Sequence, residues 1–377
     1  MKVYFDNAAT TPLHPEVIKE LSHFMVSNFG NPSSSHQFGR HAKNLVESAR
    51  KSIAKHLKCA PNEIIFTAGG TEADNLILQN AVANLGVKRI ISSTIEHHAV
   101  LHMIDALKIA YNTEVSYVNL TENGAVDLTH LESLLKDTTQ KTLVSLMYIN
   151  NEIANLLPLK TVADLCKSYD AYFHSDTVQA IAHYDINLEE IPVDFIVASA
   201  HKFHGPKGVG FAFMRKNHGI KPLLIGGEQE HGARAGTENT HSIAGMALAF
   251  DLAMKELEKD HDYVSHLKNY FVEKLKEISS EVQFNGLSAD LKNSSYVTLS
   301  VRFSKEIPML LFKLDLKGIA ASGGSACQSG SSKGSHVLQA ILSSAEAQKS
   351  SVRFSFSKFN TLAEVDYTIS ILKTLLN

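Results

Sequence analysis

Three short segments carry residue types that could do chemistry together. In Phe173-His174-Ser175-Asp176-Thr177-Val178-Gln179 an apolar run ends in an acid. A carboxylate at the carboxyl end of a strand faces the crevice in which open α/β sheets bind ligands; the plainer reading is a loop Asp that caps the next helix. In Ser199-Ala200-His201-Lys202-Phe203-His204-Gly205-Pro206-Lys207-Gly208 a lysine follows an apolar run directly. Its small and aromatic neighbours could desolvate the amine, which tunes a lysine for Schiff-base chemistry. The third segment, Thr67-Ala68-Gly69-Gly70-Thr71-Glu72-Ala73-Asp74-Asn75, joins an apolar run to a helical pattern. Such a turn leaves free backbone N–H groups at the positive end of a helix, where phosphate binds; the plainer reading is a helix cap with Thr71 at the N-cap. It lacks the glycine spacings of dinucleotide and nucleoside-triphosphate loops.

A phosphate cradle, an acid and a desolvated lysine at successive strand ends are the parts a pyridoxal phosphate enzyme needs: an anion site, a partner for the pyridinium nitrogen and an amine for the aldehyde. A metal centre is the competing reading, because the chain has 19 histidines and Glu96-His97-His98 is followed by His102 and Asp105. His98 and His102 stand four apart, but Ala99-Val100-Leu101 lacks the glutamate of H-E-x-x-H metalloproteases. No metal is expected.

The elements that must position these residues are read from periodicity. Strands are expected at 64–66, 89–91, 115–118, 143–146, 171–174, 195–198 and 210–213, with helical patterns at 73–83, 98–109, 128–135 and 159–169. Strand, helix, strand at this spacing predicts a mostly parallel sheet sandwiched by helices. A helical stretch over 242–278 is too long to run without a break. Beyond it come a half-exposed strand at 296–303, a helix at 308–316, a strand at 351–356 and a closing helix at 362–376, which together read as a smaller α+β domain. The boundaries expected are 13–250 for the large cofactor-binding domain and 1–12 with 251–377 for the small one. Within the latter, 322–335 is a Gly/Ser-rich loop with Cys327 in its middle. A loop of that length in a compact domain is usually functional or disordered, and the lone cysteine favours function.

Composition narrows the classes. The 377 residues are 44% hydrophobic and 20% charged, a globular balance, and the formal charge of -3 leaves no electrostatic footprint for nucleic acid or anionic membrane. No apolar run is long enough to span a bilayer. An acid at position 6 argues against a secretory leader, and three cysteines far apart argue against a disulfide framework, so a cytoplasmic protein is expected.

The chain resembles the cysteine desulfurases of the class V aminotransferase superfamily, of the type that serves nitrogenase maturation and iron–sulfur cluster assembly. The likeness runs from Phe5-Asp6-Asn7-Ala8-Ala9-Thr10-Thr11-Pro12 to the last helix. It is carried by Phe29-Gly30-Asn31-Pro32-Ser33-Ser34, Ala68-Gly69-Gly70-Thr71-Glu72, Glu96-His97-His98-Ala99-Val100, Asn150-Asn151-Glu152, Ala200-His201-Lys202, Arg234-Ala235-Gly236-Thr237-Glu238-Asn239 and Gly324-Ser325-Ala326-Cys327. The resemblance implies the fold-type I pyridoxal phosphate architecture in a homodimer. It implies that Lys202 holds the cofactor, Asp176 pairs with the ring nitrogen, Gln179 bonds the ring hydroxyl oxygen and His97 stacks on the ring. Gly70, Thr71, Ser199 and His201 would hold the phosphate, with Thr237 reaching it from the other subunit. Asn151 and Arg353 would contact the carboxylate of L-cysteine, and Cys327 would accept its sulfur as a persulfide and pass it to an acceptor protein such as an iron–sulfur scaffold.

Departures from the family's wording fall in the cysteine loop, at Gly323, Gln328, Lys333 and Gly334, and at Ala154 and 343–349. The chain also stops at Leu376-Asn377, where relatives carry a tail that docks the scaffold. Acceptor recognition is where a difference is expected. Other activities considered are a selenocysteine lyase or another enzyme of the superfamily, and a non-catalytic pyridoxal phosphate-binding partner.

Overall fold

The computed structural model describes residues 1–215, 219–323 and 334–376. Its main feature is a seven-stranded sheet. Read across, the strands are Ile64–Thr67, Gly210–Met214, Phe195–Ser199, Tyr172–Ser175, Thr142–Ser145, Arg89–Ser92 and Glu114–Tyr117. Pairing is parallel from Phe195–Ser199 to Glu114–Tyr117, whereas Gly210–Met214 runs antiparallel to both of its neighbours. Two reversals cancel, so Ile64–Thr67 points the same way as the parallel strands. The carboxyl ends of six strands therefore open on one edge.

Burial on both faces explains the apolar runs. Phe195 and Val197 pack into the core beneath Ala73, Leu76, Ile77, Val100 and Ile104, while Ile196 and Ala198 face a second core with Val46, Ile53, Met246 and Phe250. This is the period-two alternation of a strand covered by helices on either side. The outermost strand, Glu114–Tyr117, is the exception, with Glu114 and Tyr117 exposed.

The long helical stretch breaks at Glu256 into Thr240–Lys255 and Leu257–Ile278. The first helix joins the large core through Ile243, Met246 and Phe250; the second contributes Val264, Leu267, Phe271 and Leu275 to a separate core. In that core Thr298–Arg302 lies between Ser351–Ser355 and Gln283–Phe284, antiparallel to both, against the helices Leu257–Ile278 and Leu362–Leu376. The expected half-exposed strand is in fact wholly buried. Leu299 and Val301 face the apolar core, and the polar face is covered by the segment at 285–288, where Ser288 Oγ donates to the Ser300 carbonyl and Arg302 Nη1 donates to Asn285 Oδ1 at 2.7 Å. Alternation here marks two chemically different buried faces.

The N-terminal segment ties the two cores together. Val3–Tyr4 pairs with Ile319–Ala320, and Ser355 N donates to the Phe5 carbonyl, all on the side of the smaller core. A few residues on, Thr11 N and Oγ1 both donate to the carbonyl of His201, in the turn that follows the strand Phe195–Ser199 of the large sheet. Residues 6–10 thus bridge across the open edge.

Candidate active site

The turns leaving the strand ends bring ten of the expected residues to one cleft: Gly70, Thr71, His97, Asn151, Asp176, Gln179, Ser199, His201, Lys202 and Arg353. Thr237 does not line it; this exposed residue borders a neighbouring cleft with Ala68 and Gly208. Cys327 lies outside the described residues.

Lys202 follows the strand Phe195–Ser199 in a single turn of 3-10 helix. Its Nζ donates to the carbonyls of Ala8 at 2.7 Å and Ala9 at 2.8 Å, so the bridging segment holds the amine. Gln179 Nε2 donates to the same Ala8 carbonyl. Asp176 follows the strand Tyr172–Ser175 and is buried; its Oδ1 accepts from the Val178 amide at 2.9 Å. Burial pushes its pKa up, while His97 and Lys202 pull it back.

His97 caps the helix His98–Tyr111, its Nδ1 accepting from the Ala99 amide at 3.1 Å. A ring that accepts at Nδ1 carries its proton on Nε2, so this capping form is neutral. Burial favours the same form by lowering the pKa, against the pull of Asp176. His201 Nδ1 meets Thr10 Oγ1 at 3.1 Å, and burial beside Lys202 and Lys207 lowers its pKa to about 4.

The Gly69-Gly70 turn differs from its expected form. The N-cap is Gly69, at φ 152°, with no side-chain cap bond, and Thr71 lies inside the helix Gly70–Ala83. A Cβ on Gly70 would meet Val178 Cγ2 at 2.6 Å, so a side chain there would fill the cleft wall. First-turn amides have no partner inside their own helix, and here Ser199 and His201 border the same space.

Arg353 enters from the smaller core on the strand Ser351–Ser355. Nη1 donates to the Asn151 carbonyl at 2.8 Å and Nη2 to Asp6 Oδ1 at 3.0 Å. The guanidinium is buried, and its Nε makes no hydrogen bond among the described residues.

Sequence reasoning missed Asp6, the carbonyls of Ala8 and Ala9, Asp74, Met147 and Val178. Asp74 stands three residues after Thr71, one turn along the helix and on the same face, which was a usable signal. Asp6 had none, because its place depends on a bridge to Ser355 across the whole chain.

A profile of the class-V aminotransferases matches residues 3–368. The chain belongs to the class-V aminotransferase family. It is 40% identical over 383 residues to a cysteine desulfurase IscS of Dictyoglomus turgidum, covering all of this chain and 94% of that protein. Among solved structures it matches a NifS-like protein at a TM-score of 0.91 and 35% identity, over 100% of this chain and 99% of the other. A structure described as SspA in complex with cysteine matches at 0.80 and 29% identity, over 96% and 100%. The architecture is that of fold-type I pyridoxal phosphate enzymes, and the family depends on that cofactor.

The residues present fit the group. A buried acid, an amine held by neutral carbonyls, and a helix start where a Cβ would collide with the opposite wall converge on one cleft. Each matches one part of an aldehyde-bearing pyridine phosphate.

Proposed function

We propose that the protein is a pyridoxal phosphate-dependent cysteine desulfurase that converts L-cysteine to L-alanine and carries the sulfur as a persulfide on Cys327. The observation that carries this reading is the convergence of Lys202, Asp176 and Arg353, from two separate cores, on one cleft in a chain with full-length likeness to cysteine desulfurases. In this reading Lys202 holds the cofactor, Asp176, Gln179 and His97 hold its ring, and Gly70, Thr71, Ser199 and His201 hold its phosphate. Thr237 completes the phosphate site from the second subunit of a homodimer. The large domain spans 13–250; residues 1–12 and 251–377 form the smaller one.

When bound, pyridoxal phosphate supplies an aldehyde that condenses with amines and a ring that stabilises negative charge at the substrate α-carbon. The chain supplies the rest. Arg353 and Asn151 orient the substrate carboxylate; Arg353 keeps its remaining terminal N–H groups for that task while Asp6 and the Asn151 carbonyl fix the guanidinium plane. Lys202 would take the α-proton on Nζ. The ionised Asp176 keeps a proton on the ring nitrogen. The neutral His97 can hand over its Nε2 proton and recover it.

Sulfur transfer falls to Cys327. Burial raises the Cys59 thiol to about 12 and the Cys166 thiol also well above its ordinary value, so neither supplies a thiolate at neutral pH. The Cys327 thiolate would attack the substrate sulfur, forming the persulfide S–S bond as the carbon–sulfur bond breaks; the electron pair left on the β-carbon would take up a proton, and alanine would leave. An acceptor protein, such as an iron–sulfur scaffold, then takes the sulfur in the cytoplasm.

The test uses the cofactor-loaded protein with L-cysteine and a thiol reductant. Alanine and sulfide should appear in equal amounts, and Cys327→Ala should stop sulfide release. Borohydride followed by peptide mapping should fix the cofactor to Lys202. Sulfide released at the parent rate by Cys327→Ala, or a label on another residue, would refute the assignments.

A further inference from the structure

Asp74 has no role in the scheme above, yet it lines the same cleft. It is buried at 1% exposure on the helix Gly70–Ala83, and its Oδ1 has no hydrogen-bond partner among the described residues. One oxygen of Asp74, one oxygen of Asp176 and one ring nitrogen of His97 all lie within 4.8 Å of one another. Two carboxylates this close and this deeply buried cannot both stay ionised without a matching cation.

The elements packed around Asp74 provide little positive charge. The strand Tyr172–Ser175 offers His174, whose Nε2 is 3.3 Å from Asp74 Oδ1 and whose Nδ1 is 2.9 Å from Ser145 Oγ. His174 is wholly buried, and burial lowers its pKa to about 3, so it is a neutral ring at ordinary pH. His174 Nε2 makes no hydrogen bond among the described residues, so this ring brings Asp74 neither a charge nor a hydrogen bond. The segment before the helix His98–Tyr111 brings His97, held neutral as the cap, and Glu96, another buried acid whose pKa is raised to about 8. Lys202 is the cation nearest this group, and its field acts on Asp176 and His97.

We propose that Asp74 is a positioning residue that remains protonated and orients the Asp176 carboxylate as a neutral hydrogen-bond donor, so that the two acids hold one proton and one negative charge between them. The charge is then kept on Asp176, the acid that faces the ring nitrogen in the reading given above, on which this inference rests. Burial and the fields of Asp176 and Glu96 act in the same sense, raising the Asp74 pKa well above the carboxylate range.

The experiment begins on the full-length protein without cofactor. Infrared difference spectra at neutral pH should contain the carbonyl stretch of a protonated carboxylic acid that disappears in Asp74→Asn. In Asp176→Asn the same band should titrate away at lower pH, because the neighbouring charge that holds the proton has gone. Cofactor affinity is the second readout. Asp74→Asn keeps a neutral donor and should bind pyridoxal phosphate within about threefold of the parent, whereas Asp74→Ala should lose about tenfold, the worth of one hydrogen bond to a charged group. His174→Gln, which keeps a neutral side chain beside Asp74, should retain the band. Absence of the band, a band indifferent to Asp176→Asn, or equal losses in Asp74→Asn and Asp74→Ala would overturn the proposal in favour of an ionised Asp74 paired with a protonated His174. The infrared result stands on apoprotein alone, so failure of the cofactor reading would show separately, as absent binding in the parent.

Discussion

Arg353 shows what a single buried side chain contributes to this site. Its two terminal nitrogens are already anchored, one on a backbone carbonyl and one on Asp6, so the fork arrives with a fixed plane. Lysine at this position would offer a point charge without that plane. Arg353→Lys is expected to raise KM for L-cysteine by about tenfold or more, the cost of losing a bidentate charged contact, with a smaller change in kcat. Asp6→Asn keeps the contact but weakens the anchor, and should raise KM by a few-fold. Steady-state kinetics on both variants checks this; an unchanged KM in Arg353→Lys would remove the residue from substrate binding. Glu96 gives a second expectation at this scale. Its carboxyl, accepting from Ser93 Oγ and Met147 N, has a pKa raised by burial from 4.5 to about 8. The folded protein therefore binds a proton that the unfolded chain releases in this interval, and stability falls as pH rises from the lower value to the upper. Glu96→Gln lacks that slope. Its urea midpoint should improve relative to the parent as pH rises across the window, and a constant difference would contradict the buried protonated acid.

At the scale of elements, the decisive piece is the turn that begins the helix Gly70–Ala83. Gly69 stands at φ 152° and Gly70 has Val178 against the position of its missing Cβ. Gly69→Ala should cost about 1–2 kcal/mol of stability through backbone strain. Gly70→Ala should weaken cofactor binding more than it weakens the fold, because the new methyl competes for the cleft. Denaturation together with cofactor titration separates the two, and a Gly70→Ala protein that binds as the parent does would argue against a phosphate at this helix start. The strands of the large sheet were legible in the sequence because their signals are local, whereas the cap of this helix was not. Apolar runs placed the seven strands, and the acid and lysine following them were read from their immediate neighbours. Signals that depend on partners distant in the chain were not legible. The strand Thr298–Arg302 alternates as a half-exposed strand would, but its polar face is covered by residues 285–288, which no period reveals. The carbonyls of Ala8 and Ala9 could not be foreseen as the holders of Lys202, because backbone atoms leave no mark on residue type. The family resemblance marked His97 as a candidate ring contact for the cofactor, whereas its task as the cap of its helix follows only from the φ and ψ at that position.

The whole molecule decides what becomes of Thr237. Within one chain it is exposed and lies on a cleft apart from the one that holds Lys202. It follows a segment that presents Leu223, Leu224 and Ile225 to solvent, the last at 92% exposure. A run of apolar side chains left uncovered beside a polar residue with no site of its own suits a surface that a second copy buries. If Thr237 serves the partner's phosphate site, defects in Lys202 and Thr237 must complement across a mixed dimer. One chain carries Lys202→Ala with its threonine intact; the other carries Thr237→Ala with its lysine intact. In the mixed dimer the second chain's cleft has its own lysine and borrows the first chain's threonine, so one site is whole. The other site lacks both. Neither parental homodimer contains a whole site. Mixed dimers, isolated with two affinity tags, should therefore bind one equivalent of pyridoxal phosphate with the affinity of the unmodified protein. Were Thr237 to act within its own chain, every cleft in the mixture would be defective, and no binding at the parental affinity would be recovered.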